Sequence, residues 1–347
     1  MKARYALIPD KEKLVIEEEN LDISALGASQ ILVETEMSII SAGTELAAFT
    51  ALAKGVYKKG SRNAYPWRPG YGLIGRILEK GSAVSRFNKG DRIFCFGTHA
   101  SHQFYELDES GEKPFQSAFK IDENIPAECA VIARMGLIAI TASQISDLSL
   151  NSTVAIFGLG TIGNLAAQLF QSNGCRVIGL DPIRNRCKIA ETTGIRQVND
   201  ALPESQIQEV MNFTGGKGAD ICVDAVGDSR VIKNCLRSTI RGGQVILLGS
   251  PRADYEANLT EEFNLIHMQS LTLRGALEWR LPAYNARGIS RSIASNLDLL
   301  LGLISTEQLK VHELVSHCIR PDELLSAYEG LLNQKDNYLS VVIDWRM

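Results

Sequence analysis

Apolar and polar positions alternate along several stretches of the N-terminal third, and further on the apolar positions recur at helical spacing. Lys2 to Leu7, Lys13 to Glu17 and Gln30 to Met37 carry the strand-like pattern, with polar turns between them. Gly70 to Lys80 and Asp91 to Gly97 continue it, punctuated by Gly81 and by Lys89-Gly90-Asp91. From about residue 127 the texture changes: Ala127 to Ser146 is apolar at helical spacing, and strands then alternate with helices. The expected strands are Val154 to Phe157, Val177 to Leu180, Ile221 to Val226, Val245 to Leu248 and Leu271 to Gly275, an alternation that predicts a parallel sheet covered on both faces. Beyond residue 287 a helix over Ser290 to Leu303 leads to Glu313 to Ile319, Pro321 to Gly330 and a final strand, Ser340 to Asp344.

One segment carries chemistry. Gly158, Gly160 and Gly163 fill G-x-G-x-x-G directly after the apolar run Thr153 to Phe157 and directly before a helical pattern over Asn164 to Ser172. Gly158 allows the tight turn, Gly160 lets a pyrophosphate approach the backbone, and Gly163 lets helix pack on strand. The helix N-terminus at Thr161 and Ile162 then offers N–H groups and the positive end of the helix dipole to an anion. Asp181 closes the next strand 18 positions after Gly163, where a carboxylate accepts from the two ribose hydroxyls of an adenosine. That favours NAD, because a 2'-phosphate would be repelled; Arg184 and Arg186 just downstream could attract one and keep NADP open. The competing reading is a plain strand-to-helix turn followed by a surface acid.

Composition narrows the class. A chain of 347 residues is long enough for two domains. With 45% hydrophobic residues, 22% charged and a net charge of −4, no polybasic patch speaks for nucleic acid or a membrane surface. No apolar run is expected to reach the ~18 residues that span a bilayer, and the N-terminus lacks a signal peptide's apolar core. Seven scattered cysteines, an odd number, suit a reducing compartment better than a disulfide framework, so a cytoplasmic location is expected.

The order of short motifs resembles the medium-chain dehydrogenase/reductase superfamily nearly end to end: Gly43-Thr44-Glu45, Pro69-Gly70-Tyr71-Gly72, Lys89-Gly90-Asp91-Arg92, the Gly158 fingerprint, Asp224-Ala225-Val226-Gly227 and Gly242-Gly243. The resemblance implies an α/β protein: a GroES-like, partly open β-barrel catalytic domain (residues 1–125 and 288–347) around a Rossmann doubly wound parallel-sheet domain (126–287), with the active site in the cleft. It also implies a small-molecule substrate and a homodimer or homotetramer joined through the edge strand Leu271 to Gly275. Cofactor contacts would come from Gly158, Gly160, Thr161, Ile162, Gly163, Asp181, Arg186, Val226, Gly249 and Ser250.

Departures from the family matter as much. At the zinc-ligand positions stand Ala42, Tyr71 and, third, Met135, and only Cys95 lies where the structural-zinc lobe would be, so neither catalytic nor structural zinc is expected. Cys95, His99 and His102 could suggest another metal cluster, cleft-lining groups or structural histidines. Without a metal, Tyr71 is the candidate hydrogen-bond donor to the reacting oxygen. Thr44 is either a proton relay or a helix-cap residue, and Glu45 either supports the site or is an N-terminal helix charge. Arg252 either reaches a polar substrate or is a loop arginine, while Trp67 and Trp279 are cleft walls or core. The leading expectation is a zinc-independent enzyme transferring hydride between NAD(H) and a secondary alcohol, polyol or ketone. Alternatives are quinone- or enoyl-reductase-like NADPH-dependent reduction of an activated C=C bond, and a non-catalytic cofactor-binding relative.

Overall fold

The computed structural model describes residues 1–288 and 290–347. It separates into two units, one of residues 1–134, 279–308 and 315–347, the other of residues 135–278 and 309–314. In chain order come β1 (Lys2–Leu7), β2 (Val15–Asn20), β3 (Gln30–Ile39), α1 (Ala42–Phe49), β4 (Leu73–Lys80), β5 (Arg92–Cys95), β6 (His102–Glu106), β7 (Ala118–Lys120) and α2 (Ala127–Ile145). There follow β8 (Thr153–Phe157), α3 (Thr161–Ser172), β9 (Arg176–Leu180), α4 (Arg184–Thr192), β10 (Gln197–Asn199), α5 (Gln206–Thr214), β11 (Ala219–Asp224), α6 (Ser229–Ser238), β12 (Thr239–Leu247), α7 (Leu259–Gln269) and β13 (Thr272–Gly275). α8 (Ile293–Ser305), β14 (Val315–Ile319), α9 (Leu324–Asn333) and β15 (Ser340–Asp344) close the chain.

In the first unit β3 is the organising strand. Its first half pairs with β6 and its last residues with β15, while β4 runs along its other edge, giving the order β14-β15-β3-β4-β5-β7. Ile31 and Val33 of β3 join Leu73, Ile77, Ile93 and Tyr105 in one core. A second core brings the chain ends together: Ala6 and Ile8 from the N-terminus pack with Phe49, Leu324, Tyr328, Val341, Ile343 and Trp345. The short strands β6 and β7 and helix α1 escaped the sequence pattern because three to eight residues hold too few repeats of either period.

The second unit is a six-stranded parallel sheet of order β10-β9-β8-β11-β12-β13. Numbered from β8, that is the 3-2-1-4-5-6 order of the doubly wound fold. β8 and β9 are nearly continuous apolar runs, as strands covered on both faces must be. The order reverses between β8 and β11, so the crevice beyond their C-terminal ends is the expected ligand position. β11 stops at Asp224 and not at Val226, because the Asp224 carboxylate accepts from the Val226 and Gly227 N–H groups and turns the chain. β13 is an edge strand.

The boundaries differ from 125/126 and 287/288 for a physical reason. α2 is one unbroken helix and passes from one unit to the other between Arg134 and Met135. Leu309 to Leu314 joins the second unit, where the Lys310 N–H donates to the Gln168 side chain at 2.9 Å and the Lys310 carbonyl accepts from it at 3.0 Å. α2 also corrects the expectation about apolar runs: among the described residues it is the helix long and apolar enough to cross a membrane, yet 78% of that stretch is buried within the protein.

Candidate active site

Tyr71 lies between Gly70 and Gly72, just ahead of β4, and both glycines are dictated by neighbours. Gly70 has φ +98°, and a Cβ there would sit 2.6 Å from the His99 nitrogen; at Gly72 a Cβ would sit 2.6 Å from the Arg134 Cγ. Tyr71 is therefore flanked in sequence by a glycine packed on buried His99 and a glycine packed on the stem of buried Arg134. Its hydroxyl makes a short hydrogen bond with the Ser41 hydroxyl and a long one, 3.4 Å, to Thr44 Oγ1. On the other side the Arg134 guanidinium carbon stands 4.3 Å from the Tyr71 ring centroid, and its Nε donates to the Tyr71 carbonyl at 3.1 Å.

Ser41 is placed by Glu45. The Ser41 N–H donates to Glu45 Oε1 at 2.7 Å across the first turn of α1, and Glu45 is fully buried. Glu45 Oε2 receives His99 Nε2 at 2.9 Å and the Tyr328 hydroxyl from α9. A carboxylate only accepts, so His99 carries its proton on Nε2; Nδ1 then accepts from Ser38 Oγ at 2.8 Å, and Ser38 in turn accepts from Trp345 Nε1 at 2.9 Å. Every member is satisfied, as a buried polar network must be. Burial and the adjacent carboxylate push the Tyr328 phenol well above the ordinary tyrosine range, so it stays a donor.

Several expectations are resolved here. Glu45 stands in the first turn of α1 and bonds Ser41, His99 and Tyr328. His99 is a structural member of this network, and His102 stands on β6 beside Glu34 while Cys95 lies in the β3 core, so the three form no cluster. Trp67 packs in the core shared by the chain ends. Trp279 faces Phe96 and Phe115, with centroids 5.0 and 3.8 Å away. Ser41 and Arg134 were missed from sequence. The available signal was Arg134 itself, a charge inside an otherwise apolar helical run.

In the second unit the glycine loop has its expected form. Gly158 turns at φ +96°, and a Cβ on Gly163 would lie 1.9 Å from the Gly158 carbonyl oxygen. α3 begins at Thr161 with Gly160 as N-cap, and the Asn164 N–H makes the bond to Gly160 O, so the N–H groups of Thr161, Ile162 and Gly163 precede the helical ladder. Space beside Gly160 is open: a Cβ there would meet nothing nearer than Arg186 Nη1 at 4.0 Å. Asp181, 2% exposed, braces this loop by accepting from the N–H groups of Leu159 at 2.8 Å and Ile183 at 2.9 Å. Arg186 stands 3.5 Å from it, with its buried Nε unpartnered. Across the switch point, Gly249 approaches Gly227 so closely that a Cβ would lie 2.2 Å from the Gly227 nitrogen, with Val226 and Ser250 exposed beside them. An open cradle at Gly160, a helix N-terminus and an orphaned guanidinium nitrogen fit the diphosphate and adenosine end of a dinucleotide. Arg252 is half-buried in the loop after β12.

These features define a class, a two-unit protein with one unit built on a doubly wound nucleotide-type sheet and the other a β-unit carrying a tyrosine at its candidate site. The family model described as a zinc-binding dehydrogenase matches residues 161–287. A zinc-type alcohol dehydrogenase-like protein of Haemophilus influenzae is 23% identical over 300 residues, 80% of this chain and 82% of its own. The (R,R)-butanediol dehydrogenase of Bacillus subtilis is 22% identical over 300 residues, 80% and 81% of the two chains. Among solved structures, an Escherichia coli oxidoreductase/dehydrogenase of unknown specificity superposes with a TM-score of 0.81 at 19% identity over 99% of both chains. The family-model match and these relatives support the medium-chain dehydrogenase/reductase superfamily, and the solved structures share the fold of a GroES-like unit and a Rossmann unit.

The zinc that the family name implies does not fit these residues. Ala42 has no donor atom, the Tyr71 oxygen is engaged by Ser41, and Met135 offers only a thioether. Among the described residues no group of three or more His, Cys, Asp or Glu side chains is placed to hold a metal.

Asp224 gives a pH signature. Burial raises its carboxyl from 3.8 to about 6, against the two backbone N–H bonds that lower it, and its Oδ2 has no partner. The folded state thus keeps a proton that the unfolded state releases as pH rises from 3.8 to about 6. Stability attributable to this group is present below that window and lost above it, by about 3 kcal/mol. Denaturant unfolding at pH 4 and pH 7 should therefore show a pH-dependent loss in the wild type that Asp224→Asn lacks; equal slopes would refute the assignment.

Proposed function

We propose that the chain is a zinc-independent, NAD-linked oxidoreductase interconverting a secondary alcohol or polyol and its ketone. The observation that carries the reading is the Tyr71 hydroxyl, at a position where zinc enzymes of the superfamily place a metal-binding histidine, aimed at the Ser41 hydroxyl beside Thr44. The name of the butanediol dehydrogenase supports the substrate class. The cofactor, when bound, supplies or accepts the hydride.

The chain's own residues handle the proton. In the reducing direction the Tyr71 O–H bond breaks as its proton passes to the substrate oxygen, and a proton from solvent restores the phenol, with Ser41 sharing the hydrogen bond throughout. Glu45 acts through Ser41, fixing where that hydroxyl stands. Thr44, at 3.4 Å, is a secondary partner of the phenol. Asp181 favours NAD over NADP, since its carboxylate opposes a 2'-phosphate even with Arg186 beside it.

Tyr71→Phe should lower kcat on 2,3-butanediol, or on whichever alcohol, ketone or quinone of a panel the wild type turns over, by roughly 10²-fold or more with NADH affinity unchanged. Unaltered turnover would remove Tyr71 from the mechanism, and a wild type active only on quinones or enones would favour C=C reduction. In fluorescence titrations, NADH should bind at least ~10-fold more tightly than NADPH, with Asp181→Gly narrowing the gap. A preference for NADPH, or stoichiometric zinc on metal analysis, would overturn the corresponding part.

Edge strand β13 supports a homodimer or homotetramer. Leu273 is exposed there, and the flanking Leu259, Phe263, Met268 and Leu277 present exposed apolar side chains. Leu273→Glu should release monomers in size-exclusion chromatography, and an unchanged elution volume would refute this interface.

A further inference from the structure

We propose that Arg134 is a positioning and charge-stabilising residue for Tyr71, supplying from a fixed side chain the positive charge that a metal-free site otherwise lacks. The inference rests on Tyr71 being the proton donor.

Arg134 is 1% exposed, among the largest fully buried side chains of the protein. A permanently charged group is costly to bury, so its surroundings must compensate. Tyr71 supplies part of that compensation. The guanidinium lies over the Tyr71 ring at 4.3 Å, its Nε holds the Tyr71 carbonyl, and the faces of Trp279 and Phe96 stand 5.2 and 5.4 Å from it. The side-chain stem fills the space left by Gly72, so the chain is shaped at that residue to admit it.

Two consequences follow for the reaction. Held at the carbonyl and at the ring face, Tyr71 cannot rotate its hydroxyl away from Ser41, and this preorganises the donor. When the phenol proton leaves for the substrate oxygen, negative charge appears on a ring that already faces a cation in surroundings of low dielectric. The electron pair of the broken O–H bond stays on the tyrosine oxygen; the carbonyl carbon gains the hydride from the reduced cofactor, and its oxygen gains the proton. The other ionisable groups near Tyr71 are occupied elsewhere: Glu45 bonds Ser41, His99 and Tyr328, and His99, behind Gly70, bonds Glu45 and Ser38. Arg134 is thus the charge stacked on the tyrosine.

The test compares Arg134→Ala, Arg134→Lys, Arg134→Met and Tyr71→Phe with wild type, using 2,3-butanediol with NAD and diacetyl with NADH as probes. For each protein it reads kcat, KM, NADH affinity by fluorescence, and melting temperature, with and without millimolar guanidinium chloride. Arg134→Ala should lose roughly 10²-fold in kcat with NADH affinity kept, and added guanidinium should restore part of that loss. Arg134→Lys should fall between it and wild type, and guanidinium should do nothing for Tyr71→Phe. Should Arg134→Ala fail to fold, the near-isosteric Arg134→Met carries the comparison. A loss of kcat that tracks a fall in melting temperature and resists guanidinium would mean a structural role only and would overturn the inference. Wild-type kcat in the Arg134 variants with a dead Tyr71→Phe would overturn it while leaving the proposed function intact. Wild-type kcat in Tyr71→Phe, on these probes or on whichever alcohol or ketone of the panel the wild type turns over, would sink both.

Discussion

A carboxylate without water must be met by donors, and the first unit is arranged around one such group. Glu45 gathers the Ser41 N–H from its own helix, His99 from the loop before β6 and Tyr328 from α9. These segments lie far apart in sequence, so the buried charge acts as a staple between the N-terminal barrel strands and the C-terminal return. Removing a donor would weaken the compensation of a buried carboxylate, a loss of about 1–3 kcal/mol. The position of Ser41, and through it the Tyr71 hydroxyl, is inherited from this arrangement.

The same device recurs in the second unit. Asp181 accepts from Leu159 and Ile183 and so braces the glycine loop. Asp224 accepts from Val226 and Gly227 and so sets the turn across the switch point. In all three cases a buried acid bonds backbone N–H groups of a loop or helix start, where flexible chain would otherwise blur the site. Asp224 differs in that burial outweighs its two backbone bonds, and its proton is held to about pH 6.

What could be read in the sequence was what local physics dictates. The glycine loop was legible because strand, turn and helix signals coincide over a few residues, and the close approach of Gly163 to Gly158 is the steric reason for that coincidence. The edge position of β13 followed from the family resemblance and the alternation of strands with helices. The roles of Ser41 and Arg134 were not legible, because each depends on where Tyr71 arrives from another part of the chain. Glu45 and His99 stood among the candidates with several roles open, and only the tertiary meeting with Tyr328 and Ser38 chose between them.

The exchange of metal-binding side chains for Tyr71 changes what the surrounding structure has to supply. A metal would bring its own charge and orient whatever binds it, so its neighbours need only hold its ligands. A phenol brings neither charge nor orientation: it rotates about two bonds, and it gives up a proton readily only where the resulting anion is stabilised. A site that relies on it therefore needs a rigid grip and a fixed cation, and the geometry at Gly70-Tyr71-Gly72 meets both needs with one side chain. Arginine suits the task better than lysine because its planar guanidinium can stack on the ring while donating to the carbonyl in the same plane. Gly72 is the corresponding constraint in sequence, since any side chain there would push Arg134 off the ring.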